Sequence, residues 1–468
     1  MNSNTRRDFL KKSILGSLAV GTAGIIGYSG QSNEKSKNTQ QEAVRPRQGK
    51  SVMGFRCDPI ATVRIGIVGL GRGGGAVNRL ARIEGTNITA VCDLMPERIE
   101  KVQKSLTDAG RQEAFAYSGE EDWKKMCERD DIDLIYNATP WALHVPVALY
   151  AMEHGKHVAV EVPAALTVND CWELVDTAEK TQRHCMMLEN CCYDFFELAT
   201  LNMARNGVFG EIYHSECAYL HDLRELKHDK NGYYKMWRLE HSKKHTGNPY
   251  PTHGLGPVAQ IMGINRGDRF DYLTSMSTNQ YGLSLYAENT FGKDSPEAKA
   301  TYKLGDMNTT LVRTLNGHAI MIQHDTTSPR PYDRIHKLSG TRGYASKYPE
   351  ERIALEPEAH SFLKPEEFKA LMAKYEHPLS KYIGEKARTV GGHGGMDYIM
   401  DWRLIYCLRN GLPLDQDVYD AAAWSCITEL SEQSVLNRSN AADIPDFTRG
   451  EWQNAKPWQV IDMISVFS

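Results

Sequence analysis

From residue 62 to residue 162, short apolar runs alternate with longer segments of mixed polarity. Thr62 to Val68 begins as an alternation and becomes continuously apolar (Val63, Ile65, Ile67, Val68), the pattern of a strand buried on both faces. Asn87 to Cys92, Asp133 to Ala138 and His157 to Val162 repeat it. Between them, Ala76 to Ala81, Lys101 to Asp108, Glu120 to Arg129 and Trp141 to Gly155 predict helices. Repeated βα units imply an α/β fold with a doubly wound parallel sheet, whose ligands bind at the carboxyl ends of the strands. Two segments lie at such ends: Thr139-Pro140-Trp141-Ala142-Leu143-His144 and Glu161-Val162-Pro163.

The first thirty residues follow a different pattern. Thr5-Arg6-Arg7-Asp8-Phe9-Leu10-Lys11-Lys12 precedes a weakly apolar, glycine-rich run from Ser13 to Tyr28. Paired arginines ahead of such a run predict a twin-arginine export signal and a periplasmic location. At about 15 residues the run is shorter than the roughly 20 needed to cross a bilayer, so no membrane span is expected once the signal is removed. Residues 31 to 50 carry almost no large apolar side chain and read as a flexible linker. The expected organisation is residues 1–50 as signal and linker, a nucleotide-binding domain over 51–185, and a second domain over 186–468.

The 55 basic and 59 acidic side chains leave a formal charge of −4, which argues against a nucleic-acid partner. The ten cysteines have no small-domain spacing, and several fall in apolar stretches, so buried free thiols are expected, with the adjacent Cys191 and Cys192 the pair to check. No CxxC or HExxH spacing occurs, and no metal site is expected.

The first strand runs into Gly69-Leu70-Gly71-Arg72-Gly73-Gly74-Gly75, a G-x-G-x-x-G pattern between strand and helix. In that setting Gly69 permits a tight turn, Gly71 lets a pyrophosphate reach the backbone and Gly74 allows close helix packing, while the helix N-terminus faces the phosphates. Gly73 and Arg72 complete the loop. Asp93 follows 24 residues after Gly69, where a carboxylate meets the adenosine ribose; no arginine comes directly after it, so NAD is expected rather than NADP.

With the Asn137-Ala138-Thr139-Pro140 turn, Glu161-x-Pro163 and Gly392-His393-Gly394-Gly395-x-Asp397 added, the chain resembles the glucose–fructose oxidoreductase/inositol dehydrogenase family from residue 60 to its end. The resemblance implies a second α/β domain with an open, mostly antiparallel sheet. It also implies final helices that pack back on the first domain, and homodimers paired through the sheet's exposed face. Dehydrogenases of that family carry Glu-Lys-Pro where this chain has Glu161-Val162-Pro163, and valine can neither hold nor take a proton.

Glu189-Asn190-x-x-Tyr193, Met236-Trp237-Arg238, Tyr250-Pro251-Thr252-His253-Gly254 and Pro329-Arg330-Pro331-Tyr332 more narrowly resemble the motifs of glycoside hydrolase family 109, the NAD-dependent α-N-acetylgalactosaminidases. That resemblance implies glycan hydrolysis by a redox cycle with no net oxidation: hydride leaves C3 of the sugar, the C2 proton becomes acidic, the aglycone is eliminated from C1, water adds, and hydride returns. A net NAD-dependent sugar oxidoreductase or a sugar-binding protein are the competing readings. For the glycosidase, His253 or Tyr250 is expected to handle the C3 hydroxyl proton and Tyr193 the C2 proton, its pKa lowered by nicotinamide or Arg238. Arg238 and Tyr332, with Tyr250, Pro251, Thr252, Tyr193 and His253, are expected to hold the sugar. Trp141, His144, Glu161, Val162, Asn190 and Tyr250 are expected to line nicotinamide and ribose. His214, His221, His241 and His245 are assigned to surface or core. His393 is left between approaching the substrate and packing the backbone.

Overall fold

A computed structural model of the chain describes residues 45–457. The expected export signal lies outside the described residues. The apolar run forms β1 (Val63–Val68), parallel to β2 (Thr86–Cys92), with β3 (Phe115–Tyr117) beyond it. On the other side lie β4 (Leu134–Asn137), β5 (His157–Val160) and β6 (Cys185–Met187), giving the order β3-β2-β1-β4-β5-β6. Val63, Ile65 and Ile67 are fully enclosed, as a central strand covered by helices on both faces requires. The order reverses between β1 and β4, so the crevice beyond Val68 and Asn137 is the topological switch point. β3 and β6 are only three residues long and leave no periodic trace.

Residues 212–443 supply the second sheet: β7 (Ile212–Leu220), β8 (Phe270–Ser277), β9 (Asn308–Thr314), β10 (Ala319–Asp325), β11 (Lys337–Gly340), β12 (Gly343–Ser346), β13 (Arg352–Leu355) and β14 (Ala442–Asp443). Their order is β13-β12-β11-β7-β10-β9-β8-β14, antiparallel throughout except for the central β7–β10 pair. On β9 the alternation is explicit: Asn308, Thr310 and Val312 are buried while Leu311 and Arg313 are exposed. Helix Thr252–Ile261 covers β7, and helix Ile427–Leu436 covers β8. Helix Met396–Asn410 packs on helix Leu70–Leu80, and helix Val418–Ser425 packs on helix Val168–Thr181 and β6.

Two expected boundaries move. A cut at 185/186 would divide β6, which belongs to the first sheet. The fold also begins before Ser51. Arg47 lies 2.7 Å from the carboxylate of fully buried Glu179, which Arg449 and the Tyr419 hydroxyl also meet at 3.0 and 2.6 Å. A buried carboxylate demands such partners, so residues 45–50, the described end of the stretch that reads as linker, are recruited as structure. All ten cysteines are free, including Cys191 and Cys192, and nine of them are buried.

Candidate active site

The glycine loop turns off the end of β1 at Gly69, where φ is +84° and a Cβ would sit 2.6 Å from the carbonyl oxygen of Ala138. Only glycine meets both demands. The closest helix-to-strand approach is at Gly73, where a Cβ would stand 3.0 Å from the Ile67 side chain. Gly74, assigned that duty by the pattern, meets only Val102, at an ordinary 3.7 Å. At Gly71 a Cβ would meet nothing nearer than the Arg98 guanidinium, 3.4 Å away, so the loop surface is open there. The first turn of helix Leu70–Leu80 holds no acidic residue, and beyond the Leu70 N–H its remaining N–H groups and dipole face the loop. Asp93 accepts hydrogen bonds from the backbone N–H of Leu70 (2.6 Å) and Met95 (2.8 Å), which fixes the carboxylate beside the loop. Arg98, from the following helix, stands 3.5 Å from it, a neighbour that adjacency in sequence did not reveal. These features fit a dinucleotide: a bare loop, a helix terminus without acidic residues in its first turn and a positioned carboxylate.

The turn after β4 is locked to the turn after β5. His144 is enclosed, and its ring nitrogens lie 2.7 Å from the carbonyl oxygen of Pro163 and 2.9 Å from that of Thr139. Burial lowers its pKa, although both carbonyls oppose the shift. His144 therefore braces the crevice wall rather than lining it, a correction to its expected role: two unpaired carbonyls at the strand ends outcompete the ligand for its nitrogens. Trp141 donates its indole N–H to the carbonyl oxygen of buried Val162 (3.1 Å) and presents its ring to the second domain. Arg72 has its pKa raised: desolvation opposes the charge, but Glu161, Tyr250, Tyr233 and Tyr219 favour it. The loop and the second domain thus face one cleft.

That domain contributes a wall of rings around a cation. The Arg238 guanidinium lies 4.8 Å from the rings of Trp141 and Trp237, 4.9 Å from Tyr250 and 5.0 Å from Tyr233, and its Nε is buried without a hydrogen-bond partner. Beside it, Nδ1 of His253 lies 2.8 and 3.0 Å from the two oxygens of fully buried Glu189, and Nε2 lies 3.3 Å from the Tyr250 hydroxyl. Pro251 and Thr252 are buried at the start of the helix that carries His253. Gly254 and Gly256 let this helix reach its partners: Cβ atoms there would lie 2.4 Å from the Ala218 backbone and 2.8 Å from the Glu189 side chain. Burial pushes the Glu189 carboxyl up, but His253 and hydrogen bonds to it bring it below the ordinary value. Burial carries the Tyr250 phenol far above its ordinary range, so it stays protonated.

A second histidine–tyrosine pair adjoins the first. The Tyr219 hydroxyl is 3.0 Å from Nδ1 of His221, and its ring is 4.6 Å from Tyr250 and 5.4 Å from His253. Tyr332 packs edge-on against His221, at 5.0 Å. Burial lowers the His221 pKa; Asp222 opposes this, and His253, Arg238 and Arg72 add to it. His221, expected at the surface or in the core, thus lies beside His253 and Tyr332. Glu189, Cys191 and His253 hold potential metal-ligand atoms within 4.8 Å of one another, the one such grouping among the described residues. In the observed arrangement Glu189 is bonded to His253, and the Arg334 cation stands 3.2 Å from the Cys191 sulfur.

One expected site residue lies elsewhere. Tyr193 is enclosed, its hydroxyl 3.4 Å from Asp415, a carboxylate already gripped by Arg403 at 2.8 and 2.9 Å. Burial and then Asp415 push its phenol far above the ordinary range, opposite to what a base for the C2 proton requires. Apolar neighbours claim the ring because it enters a core helix region alongside Leu198 and Leu201. Asn190 donates to Asp397 at 2.6 Å, and Asp397 also meets His393 (2.8 Å) and Arg79 (3.5 Å), tying the glycine-rich Gly392–Gly395 turn to the first domain. His393 is thereby placed on backbone support.

Residues 63–189 match the model of the oxidoreductase family with an NAD-binding Rossmann fold, and residues 193–454 match that of the glycosyl hydrolase 109 C-terminal domain. The chain is 56% identical over 406 residues to an alpha-N-acetylgalactosaminidase of Bacteroides fragilis, spanning 86% of this chain and 96% of that one. The chain belongs to glycosyl hydrolase family 109. A family 109 protein of Shewanella amazonensis is 48% identical over 461 residues, spanning 98% of this chain and 99% of that one. Among solved structures, a levoglucosan dehydrogenase in complex with NADH and L-sorbose superposes with a TM-score of 0.62 at 17% identity, over 83% of this chain and all of that one, a likeness of fold.

Within this family 109 chain, sequence reasoning passed over Glu189, Tyr219, His221, Tyr233 and Arg334. Glu189 and Trp237 stood inside quoted motifs without a role. Arg334 reaches Asp194 (2.6 Å) and Glu197 (2.7 Å) and supports the floor below Tyr332. The available signal was an acidic residue directly after a short apolar run, Cys185 to Leu188, which reads equally as a solvated strand end.

Proposed function

We propose that this enzyme removes terminal α-linked N-acetylgalactosamine from glycans, using NAD⁺ without net oxidation. The observation that carries the proposal is the Glu189–His253–Tyr250 chain beside a dinucleotide cradle, in a fold whose dehydrogenase lysine position is Val162. Gly69, Gly71, Arg72, Gly73, Gly74 and Asp93 would hold the dinucleotide, with Trp141, Glu161 and Val162 beside its nicotinamide end. Bound there, NAD⁺ would supply a hydride acceptor for C3 and, in its reduced form, the donor that restores it.

The remaining chemistry belongs to side chains. Ionised Glu189 can only accept, so Nδ1 of His253 carries the proton and Nε2 presents a lone pair. Nε2 takes the C3 hydroxyl proton, and the protonated Tyr250 donates to the C3 oxygen. With Tyr193 out of reach, neutral His221, oriented by Tyr219, takes the C2 proton. The aglycone leaves C1 with the proton that His221 took from C2, water then adds OH to C1 and H to C2, and His253 returns its proton to the C3 oxygen when the ketone is reduced. Arg238 and Tyr332 hold hydroxyl and acetamido groups. Export by the twin-arginine route to the periplasm is part of the proposal: a cofactor restored in every cycle needs no recycling pool outside the cytoplasm. Pairing of two copies through the open face of the second sheet is proposed as well.

A panel of chromogenic α- and β-hexosaminides, with and without NAD⁺, tests the reading. Release of chromophore from the α-N-acetylgalactosaminide with no rise at 340 nm is expected. Stoichiometric NADH would establish a net oxidoreductase instead, and full activity in protein stripped of nicotinamide would reject the cycle.

A further inference from the structure

A cavity of about 740 Å³ opens beyond Tyr332, lined by Tyr281, Met307, Arg330, Pro331, Tyr332 and Tyr348, with Asp306, Asp325 and Asp333 among its polar groups. Its volume falls within the roughly 300–1,000 Å³ typical of small-ligand sites. It contains none of the residues given the bond-breaking chemistry, yet it joins them at Tyr332, which packs on His221 and lies 6.4 Å from Tyr348. Tyr281 is 61% exposed, so a large aromatic surface stands at this cavity. The Nε of Arg330 is buried without a hydrogen-bond partner, and its guanidinium lies 3.8 Å from Asp325. Most of the acidic groups face inward: Asp306 accepts from the backbone N–H of Tyr281 and Gly282, and Asp325 from those of Thr327 and Ser328. What remains toward the opening is aromatic rings and a proline edge. That combination suits the apolar C–H face of a pyranose.

We propose that this cavity binds the penultimate sugar of the glycan, on the aglycone side of the bond that is cut, so that the enzyme prefers oligosaccharide chains over simple glycosides. The proposal rests on the glycosidase reading. It is tested with Tyr281→Ala, whose exposed side chain makes a folding defect improbable, a point checked by thermal melting. The ratio of kcat/KM for an N-acetylgalactosamine-terminated trisaccharide to that for the p-nitrophenyl monosaccharide is expected to fall about fivefold in the variant. An unchanged ratio overturns the proposal, as it would if a second copy of the chain filled the cavity. If wild-type protein cleaves neither compound, the glycosidase reading fails and calorimetry on NAD⁺-loaded protein decides the cavity separately. Tighter binding of the trisaccharide than of free N-acetylgalactosamine, lost in Tyr281→Ala, supports the subsite; equal binding of the two sugars overturns it.

Discussion

The two halves of the cleft hold their functional groups by different means. In the first domain the ligand-facing surface is mostly backbone: a loop from Gly69 to Gly75, a helix terminus and one carboxylate, all within thirty residues. In the second it is side chains carried by separate elements: Glu189 after β6, Tyr219 and His221 at the end of β7, Arg238 and His253 on two helices, and Tyr332 after β10. A backbone site needs residues that stay out of the way, whereas a side-chain site needs chemistry delivered from far apart in the chain. Mutations should therefore reduce activity most in the second half and cofactor retention most in the first.

The largest effect is expected at His253. His253→Ala should lower kcat about 10³-fold, in the range of a lost general base, while NAD stays bound as judged by fluorescence of the purified protein. Glu189→Gln keeps the volume but can offer an N–H to Nδ1 and so invert the tautomer; a loss of about 10²-fold is expected, with the melting temperature measured alongside to separate positioning from folding. Loss of NAD from either variant would break the division between the halves. The pH profile adds a further check. Burial holds His221 below the ordinary histidine value of about 6.5, so its neutral, proton-accepting form persists below that pH. The contribution of His221 to the acid limb of kcat/KM should accordingly fall below pH 6.5, about tenfold per unit once it is protonated. A limb that keeps its position in the residual activity of His221→Gln would remove His221 from the C2 step.

The same division explains what could be read in advance. β1, β2, β4 and β5 are legible because strands covered on both faces are mostly apolar, and the glycine loop because its steric demands are met by consecutive residues. β3 and β6 are not, since three residues carry no period. In the second domain, Val312 and Leu311 alternate as a half-buried strand should, but many short, partly polar strands leave the order of the sheet unwritten. At the site, resemblance located Tyr250, His253, Arg238 and Tyr332 as residues, yet nothing local showed that Glu189 would lie beneath His253, 64 positions away, or that His144 would spend both nitrogens on carbonyl groups. Tyr193 misled for the same reason: a phenol within a motif looks alike whether its hydroxyl meets substrate or Asp415.

Gly69→Ala probes the backbone half. The added methyl would stand 2.6 Å from the Ala138 carbonyl at a φ of +84°, and the backbone strain alone is about 1–3 kcal/mol. Weakening of NAD binding by about tenfold is expected, with kcat at saturating NAD⁺ changed less than threefold. Equal damage to kcat would show that the loop shapes the sugar site as well, contrary to the proposed separation.

Tyr193→Phe should do least. Its hydroxyl makes one long bond, 3.4 Å, to a carboxylate that Arg403 already holds with two nitrogens, so removal leaves Asp415 paired. Stability should change by less than about 1 kcal/mol and kcat/KM by less than about threefold. A C2-deuterated substrate should still exchange its label with solvent in the variant. If exchange instead stopped while melting stayed the same, the phenol would have to leave Asp415 and swing into the cleft during turnover. The second half would then owe its chemistry to a rearrangement of its core, and His221 would lose the C2 proton.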